Sequence, residues 1–325
     1  MQDVRGAGNR LPGEGMRKAL VTGASGYIGS FLVRSLLADG FEVIALIRSG
    51  TRMTNLEGLV TLRTTEYDGL SSSVLEVIGE ERPDVIFHLA AFGGAADHGF
   101  EDLDRIINAN IVLGTQLLEA LRQVGNGALI NTGTFAQHYE GKAAYDPVSF
   151  YAASKQAYED IVTYYVRVEG VPVVTLKLFD VYGPYDVRPK LFTLLRKAQQ
   201  ENVPLPVSPG EQLLDLVYVD DVVQAFFRAA RLLEEQPAIA GNVYAVSSGV
   251  RRTVRDTVAM FEEVSGKPVP VIWGGRAYRK REIMVPWEGV PLPGWSAEVP
   301  LAEGLRRVLN ELESRSSSTF ELPVT

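Results

Sequence analysis

The chain has 325 residues and is 46% apolar, enough to bury the core of one large domain or two moderate ones. Its net charge of −8 argues against a general nucleic-acid binder, whose phosphate contacts need clustered Lys and Arg, while leaving room for a local basic pocket for a small anion. With no cysteine there is no disulfide framework, thiolate metal site or Cys nucleophile, which fits a reducing cytoplasm, and no apolar run approaches the roughly 20 residues that span a bilayer.

Residues 1–15 are Gly-rich and polar and read as a loose extension, neither signal peptide nor membrane segment. β-rich runs then alternate with helical patterns. The strands are Lys18–Val21, Glu42–Ile47, Thr61–Arg63, Val85–Leu89, Ala128–Asn131 and Val173–Leu178; the helices are Ile28–Ala38, Ser72–Gly79, Leu103–Val124 and Phe150–Val168. Strands rich in Val, Ile and Leu alternating with helices predict an α/β fold, a doubly wound parallel sheet of the Rossmann type covered on both faces, over residues 16–180. After Tyr182-Gly183-Pro184 the rhythm loosens and the Pro-rich piece Val203–Pro209 interrupts it. A smaller mixed α/β substrate-binding domain is expected over 181–315, with helices Asp220–Leu233, Val254–Ser265 and Leu301–Leu312. Leu216–Val219 and Asn242–Val246 are expected to return as strands to the first domain, rejoining it over about 213–248, and residues 316–325 to form a flexible end.

The first strand runs into Thr22-Gly23-Ala24-Ser25-Gly26-Tyr27-Ile28-Gly29 and then a helix. In this spacing Gly23 permits the tight turn, Gly26 lets backbone approach a pyrophosphate, and Gly29 lets the helix pack closely on the strand. The free N–H groups of the helix start face the anion. Where such a turn serves NAD, an acidic residue closes the second strand. Here that strand ends Ile47-Arg48-Ser49, and Glu42 stands at its start. Arg48, with Ser49 and Arg52, suits the 2′-phosphate of NADP(H), which is favoured over NAD; the bland alternative is a solvated strand-end arginine.

Tyr151 and Lys155 lie one turn apart on a helix, shortly after the strand end Asn131-Thr132-Gly133-Thr134. A phenol with an ordinary pKa of about 10 is too weak an acid-base at neutral pH, and a nearby ammonium is expected to lower it. Tyr151 can then protonate a carbonyl oxygen as hydride reaches its carbon, with Thr134 holding that oxygen. The three histidines, His88, His98 and His138, lack metal-ligand spacing, so no metal site is expected. No Gly-x-Ser-x-Gly elbow occurs, and Asp220-Asp221 reads as an acidic helix start.

Taken in order, these pieces resemble the extended short-chain dehydrogenase/reductase family, the NAD-dependent epimerase/dehydratase group acting on nucleotide sugars. Further matching pieces are Tyr67-Asp68, His88-Leu89-Ala90-Ala91, Tyr151-Ala152-Ala153-Ser154-Lys155, Leu178-Phe179-Asp180-Val181-Tyr182-Gly183-Pro184, Val217-Tyr218-Val219-Asp220-Asp221 and Gly294-Trp295 with Leu301-Ala302-Glu303-Gly304-Leu305. The resemblance implies that Asp68 meets the adenine, that Gly69, Leu89, Ala90, Ala91, Asn110, Thr132, Phe179 and Val181 line the cofactor, and that Phe92, Thr134, Phe135, Asp180, Arg188, Lys190 and Arg281 meet the substrate. Arg188, Lys190, Arg276 and Arg281 suit its diphosphate. It also implies a homodimer through the helices Leu103–Val124 and Phe150–Val168.

Three departures narrow the reaction. Family dehydratases carry Asp-Glu after the catalytic Thr, where this chain has Phe135-Ala136; the acid that retains NAD in epimerases is missing at Arg48; and Asn110 stands one residue farther from Gly114-Thr115 than usual. The stretches 131–138 and 177–189 look most like the branch of CDP-paratose and CDP-abequose synthases. The expected activity is NADPH-dependent reduction of a 4-keto-6-deoxy nucleotide sugar, CDP- or dTDP-linked. A 4-epimerase with retained NAD and a non-catalytic dinucleotide sensor stay open as alternatives.

Overall fold

The computed structural model describes residues 17–93 and 99–317, the stretch 311–317 by backbone alone. The expected loose segment 1–15 and nearly all of 316–325 lie outside the described residues. The strands, in chain order, are β1 (Lys18–Thr22), β2 (Glu42–Arg48), β3 (Arg63–Tyr67), β4 (Val85–His88), β5 (Ala128–Thr134), β6 (Val173–Leu178), β7 (Asp180–Tyr182), β8 (Leu205–Val207), β9 (Leu213–Tyr218), β10 (Val243–Val246), β11 (Arg251–Thr253) and β12 (Val271–Trp273). The α-helices are α1 (Tyr27–Ala38), α2 (Ser71–Glu81), α3 (Leu103–Ile107), α4 (Leu113–Val124), α5 (Phe150–Arg167), α6 (Leu191–Glu201), α7 (Val219–Glu235), α8 (Val254–Ser265) and α9 (Leu301–Ser317).

Seven strands form one parallel sheet in the order β10-β6-β5-β4-β1-β2-β3. The chain reverses its direction of travel between β1 and β4, which opens a crevice at their carboxyl ends. Alternation along the strands sends successive side chains to opposite faces. Leu20, Ile86, Leu129 and Val173 join the core with Ile78 of α2, Leu117 of α4 and Tyr158 of α5. Val21, Val43, Phe87 and Val174 face a larger core with Leu32 of α1 and Phe226 of α7, which continues into Phe192 and Phe261 of the second region.

Several boundaries differ from expectation. The third strand is Arg63–Tyr67 rather than Thr61–Arg63, because pairing with β2 sets Ile44 opposite Arg63 and Arg48 opposite Tyr67. Asn242–Val246 returns to the main sheet as expected, through β10 beside β6. Leu216–Val219 does not: β9 lies between β7 and β11 in a separate three-stranded sheet. The Pro-rich piece contains β8, paired in parallel with β12, and α6 precedes it; neither element was legible in the irregular sequence.

The expected helix Leu103–Val124 is interrupted by a π-helical turn, Asn108–Val112. A π turn takes one more residue than an α turn. It absorbs the additional residue between Asn110 and Gly114, keeping Asn110 turned inward while Gly114 packs on Tyr158, whose ring a Cβ at that position would approach to 2.4 Å.

Candidate active site

The glycine turn ends β1 and starts α1 as its spacing predicts. Gly23 has φ +68, and a Cβ there would lie 2.7 Å from the backbone of Leu89 and Ala90 at the end of β4. At Gly29 a Cβ would stand 2.1 Å from the Gly23 carbonyl oxygen, so only glycine lets α1 sit this close to the strand. Gly26 caps α1 without a side chain, leaving its first N–H groups directed at the crevice.

That crevice is part of a cleft of about 900 Å³. It is lined by Gly23, Gly26, Tyr27, Ile28, Gly29, Leu89, Ala91, Thr132, Tyr151, Lys155, Phe179 and Val181. Phe92, Thr134, Phe135, Asp180, Arg188, Lys190 and Arg281 line the same cleft. Ser25, Arg48, Ser49, Asp68, Gly69, Ala90 and Asn110 do not line it. Arg48 and Ser49 are exposed at the end of β2. Asp68 accepts from the Leu70 N–H at 2.8 Å and the Ser73 hydroxyl at 2.5 Å, which holds its carboxyl below the usual range and ties it to the start of α2. The Ala90 N–H donates to the Thr22 hydroxyl, and the Ser25 carbonyl accepts from Asn55.

Asn110 is fully committed to positioning. Its Oδ1 accepts from the Phe92 N–H (2.8 Å), and its Nδ2 donates to the Phe92 carbonyl (2.9 Å) and to Ser154 Oγ (2.8 Å). This clamps the segment after β4 onto α5. Gly93, at φ +107, then lies against Tyr151, where a Cβ would come within 3.2 Å of the tyrosine Cβ. Sequence reasoning did not single out Gly93, for which the glycine directly after the Ala91-Phe92 pair was the available signal, and it quoted Ser154 only as a member of the Tyr151–Lys155 motif, without a role.

Ser149 caps α5 and sets Tyr151 and Lys155 one turn apart on the cleft side. Burial raises the Tyr151 phenol to about 12 and lowers the Lys155 ammonium to about 8, with Glu159 opposing the latter shift. The expected lowering of Tyr151 by Lys155 is therefore not found: desolvation dominates both groups. Lys155 Nζ and Thr132 Oγ1 are buried without a partner among the described residues. Behind them His88 is wholly buried, its Nδ1 2.8 Å from Thr22 Oγ1, and burial followed by the nearby Lys155 charge lowers it to about 3.

Thr134 ends β5 and caps the following turn: its Oγ1 accepts from the Ala136 N–H at 3.2 Å, and its own N–H donates to Gln137 Oε1 at 3.0 Å. The hydroxyl is thereby fixed with its hydrogen still available to a ligand. Phe135 stacks on Phe179 at 5.0 Å and makes an apolar wall.

The cleft is locally basic within an acidic chain. Arg188, Lys190, Arg276, Arg279 and Arg281 line it against Asp102, Asp180 and Glu282. Arg188 is held by two 2.7 Å bonds to Asp186 and lies 4.4 Å over the Tyr27 ring, beside the glycine turn. Arg281 pairs with Asp146 and covers Tyr139. Burial raises the Asp180 carboxyl, while Lys190, at 3.9 Å, opposes the shift. Arg279 was not singled out from sequence, because it lies among other basic residues in an irregular stretch.

The buried ammonium and hydroxyl without partners, the uncapped helix start and the two positions where no Cβ fits suit a nicotinamide dinucleotide. Fold and site together define an oxidoreductase-type enzyme of the extended short-chain dehydrogenase/reductase class. Residues 19–246 match the NAD dependent epimerase/dehydratase family, and the chain belongs to it. The chain is 28% identical over 269 residues to a CDP-abequose synthase of Yersinia pseudotuberculosis, covering 83% of this chain and 91% of that one. It is 29% identical over 327 residues to a UDP-glucose 4-epimerase of Mycolicibacterium smegmatis, covering 92% and 99%. The UDP-glucuronic acid 4-epimerase from Bacillus cereus, solved with UDP-glucuronic acid and NAD, superposes with a TM-score of 0.81 at 26% identity, over 92% of this chain and 99% of that one.

Proposed function

We propose that this protein reduces the 4-keto group of a 6-deoxy nucleotide sugar, CDP- or dTDP-linked, with NADPH. The observation that carries the reading is the end of β2. Arg48 and Ser49 stand there without a carboxylate, and Glu42, the strand's only acid, is held at the other end by Arg63 and Lys18. A cationic strand end suits a 2′-phosphate, and an exchangeable NADPH suits net reduction. The likeness to CDP-abequose synthases supports the same branch. Dehydration is disfavoured because Phe135 and Ala136 supply neither acid nor base after Thr134.

When bound, the reduced nicotinamide supplies the hydride. Tyr151 gives its phenolic proton to the substrate oxygen; burial keeps that phenol protonated at neutral pH, the form an acid requires. The Thr134 hydroxyl, its lone pair engaged by Ala136, donates its hydrogen to the same oxygen. Lys155, whose Nζ is buried without a partner among the described residues, would hydrogen-bond the nicotinamide ribose and stabilise the phenolate left on Tyr151. Arg276 and Arg279, which line the same cleft, would meet the diphosphate.

The test is to mix purified protein, NADPH and CDP- or dTDP-linked 4-keto-6-deoxy sugars and follow loss of reduced-nicotinamide absorbance. Tyr151→Phe is expected to lower turnover roughly 10²–10⁴-fold while leaving dinucleotide affinity intact. No turnover with either nucleobase would sink the reading. The rival, a 4-epimerase with retained NAD, is favoured by the NAD-containing solved relatives. Its signature is NAD released on denaturing the purified protein, together with isomerisation of a nucleotide hexose without net cofactor consumption.

A further inference from the structure

Beside β5 lies a buried charged network that the proposed chemistry does not use. Lys177 of β6, 3% exposed, pairs with Glu159 of α5 at 3.2 Å and donates to His138 Nε2 at 2.9 Å. His138 Nδ1 then donates to the Ala144 carbonyl at 3.1 Å, and its ring stacks on Trp287 at 4.3 Å. The other oxygen of Glu159 accepts from Gln137 Nε2 at 2.9 Å, and Gln137 Oε1 receives the Thr134 N–H. Gly133 makes room for this arrangement: a Cβ there would lie 2.9 Å from Lys177 Cγ and 3.0 Å from Gln137 Oε1. A buried ion pair adds little stability over apolar side chains of the same volume, so what it holds in place is the more informative question.

Two links lead from Glu159 to the reacting groups. Through Gln137 it fixes the turn that orients Thr134. Along α5, Tyr151, Lys155 and Glu159 recur every fourth residue on one helix face, and the Glu159 carboxylate favours the charged form of Lys155. We propose that Glu159 is the positioning residue of this active site, holding Thr134 through Gln137 and setting the electrostatic potential at Lys155. The charged and titratable groups around Lys155 are Tyr151, one turn before it on the same helix face, Glu159, one turn after it, and His88 from β4, which burial keeps neutral. Those facing Glu159 are Lys177 from β6, Gln137 from the turn after β5 and His138 after it, with Asp160 also acting on Lys177. Glu159 is thus the carboxylate whose removal lowers the Lys155 titration.

The inference rests on the ketoreductase reading for its rate measurement alone. Full-length wild type, Glu159→Gln/Lys177→Met, Lys177→Met and Gln137→Leu are compared in two pH series, kcat on 4-keto sugar nucleotides and NADPH affinity by nicotinamide fluorescence. For the double variant we expect kcat to fall about tenfold, the alkaline limb of both series to move down by about one pH unit, and KM for the sugar to stay within about twofold. Lys177→Met keeps the carboxylate and holds the limb at or above its wild-type position. Gln137→Leu lowers kcat without moving the limb. An unmoved limb in the double variant, or a downward shift in Lys177→Met, overturns the proposal; should the double variant fail to fold, Lys177→Met decides alone. If wild type turns over no keto sugar, the functional reading fails, yet the pH series of NADPH affinity still decides the role of Glu159.

Discussion

Lys155 carries a stability cost that can be measured. The side chain is 1% exposed, and burial brings its titration from 10.5 to about 8. At about 1.4 kcal/mol for each tenfold change, that drop corresponds to roughly 3 kcal/mol of destabilisation. Below pH 8 both folded and unfolded chains hold the proton, and the full cost of burying the charge is present. Between about 8 and 10.5 the unfolded chain binds more protons than the folded one, so stability rises with pH as the folded state sheds its charge. Lys155→Met, similar in length and without charge, is therefore expected to stabilise the cofactor-free protein by up to roughly 3 kcal/mol at pH 7. The gain shrinks to about 1 kcal/mol at pH 9.5, while catalysis is lost. Urea unfolding of both proteins at the two pH values measures this directly. A variant no more stable than wild type at pH 7, or a difference independent of pH, would refute the account of a buried, desolvated ammonium.

Arg48→Ala is expected to weaken NADPH about tenfold or more while leaving NADH within about twofold, the loss of one charge-assisted phosphate contact; equal losses for the two cofactors would remove the basis for NADPH. Gly114→Ala forces a methyl against Tyr158, whose ring carbons stand 2.4 Å from the added Cβ, and is expected to cost about 1–3 kcal/mol in urea unfolding. Combining it with Tyr158→Leu should recover part of that loss, because the ring is what the methyl meets.

The first half of the molecule was legible because local and global signals agree there. Runs of Val, Ile and Leu bounded by helical periodicity give the strands, and the glycine spacing places the turn between β1 and α1. The second region was less legible: β7, β8, β11 and β12 have only three residues each, too few for any period, and β8 contains Pro206. Its exact place depends on the pairing of Leu205–Val207 with Val271–Trp273, a contact between distant segments. The same holds for β9, apolar enough for either sheet, whose partners β7 and β11 direct it to the smaller one.

By itself the sequence determined the chemistry available: a glycine turn, a tyrosine and a lysine one turn apart, a threonine at a strand end, and Phe135-Ala136 where a dehydratase pattern has acids. It also marked the additional residue after Asn110, because spacing is a property of the chain. Tertiary structure alone decided that the residue enters a π turn, that Asn110 clamps Phe92 and Ser154, and that Glu159 meets Lys177 and Gln137 across β5 and β6. It also decided the protonation balance at Tyr151 and Lys155. Residue type predicts attraction between phenol and ammonium, but burial is a property of the assembled fold, and desolvation there outweighs the pairwise term.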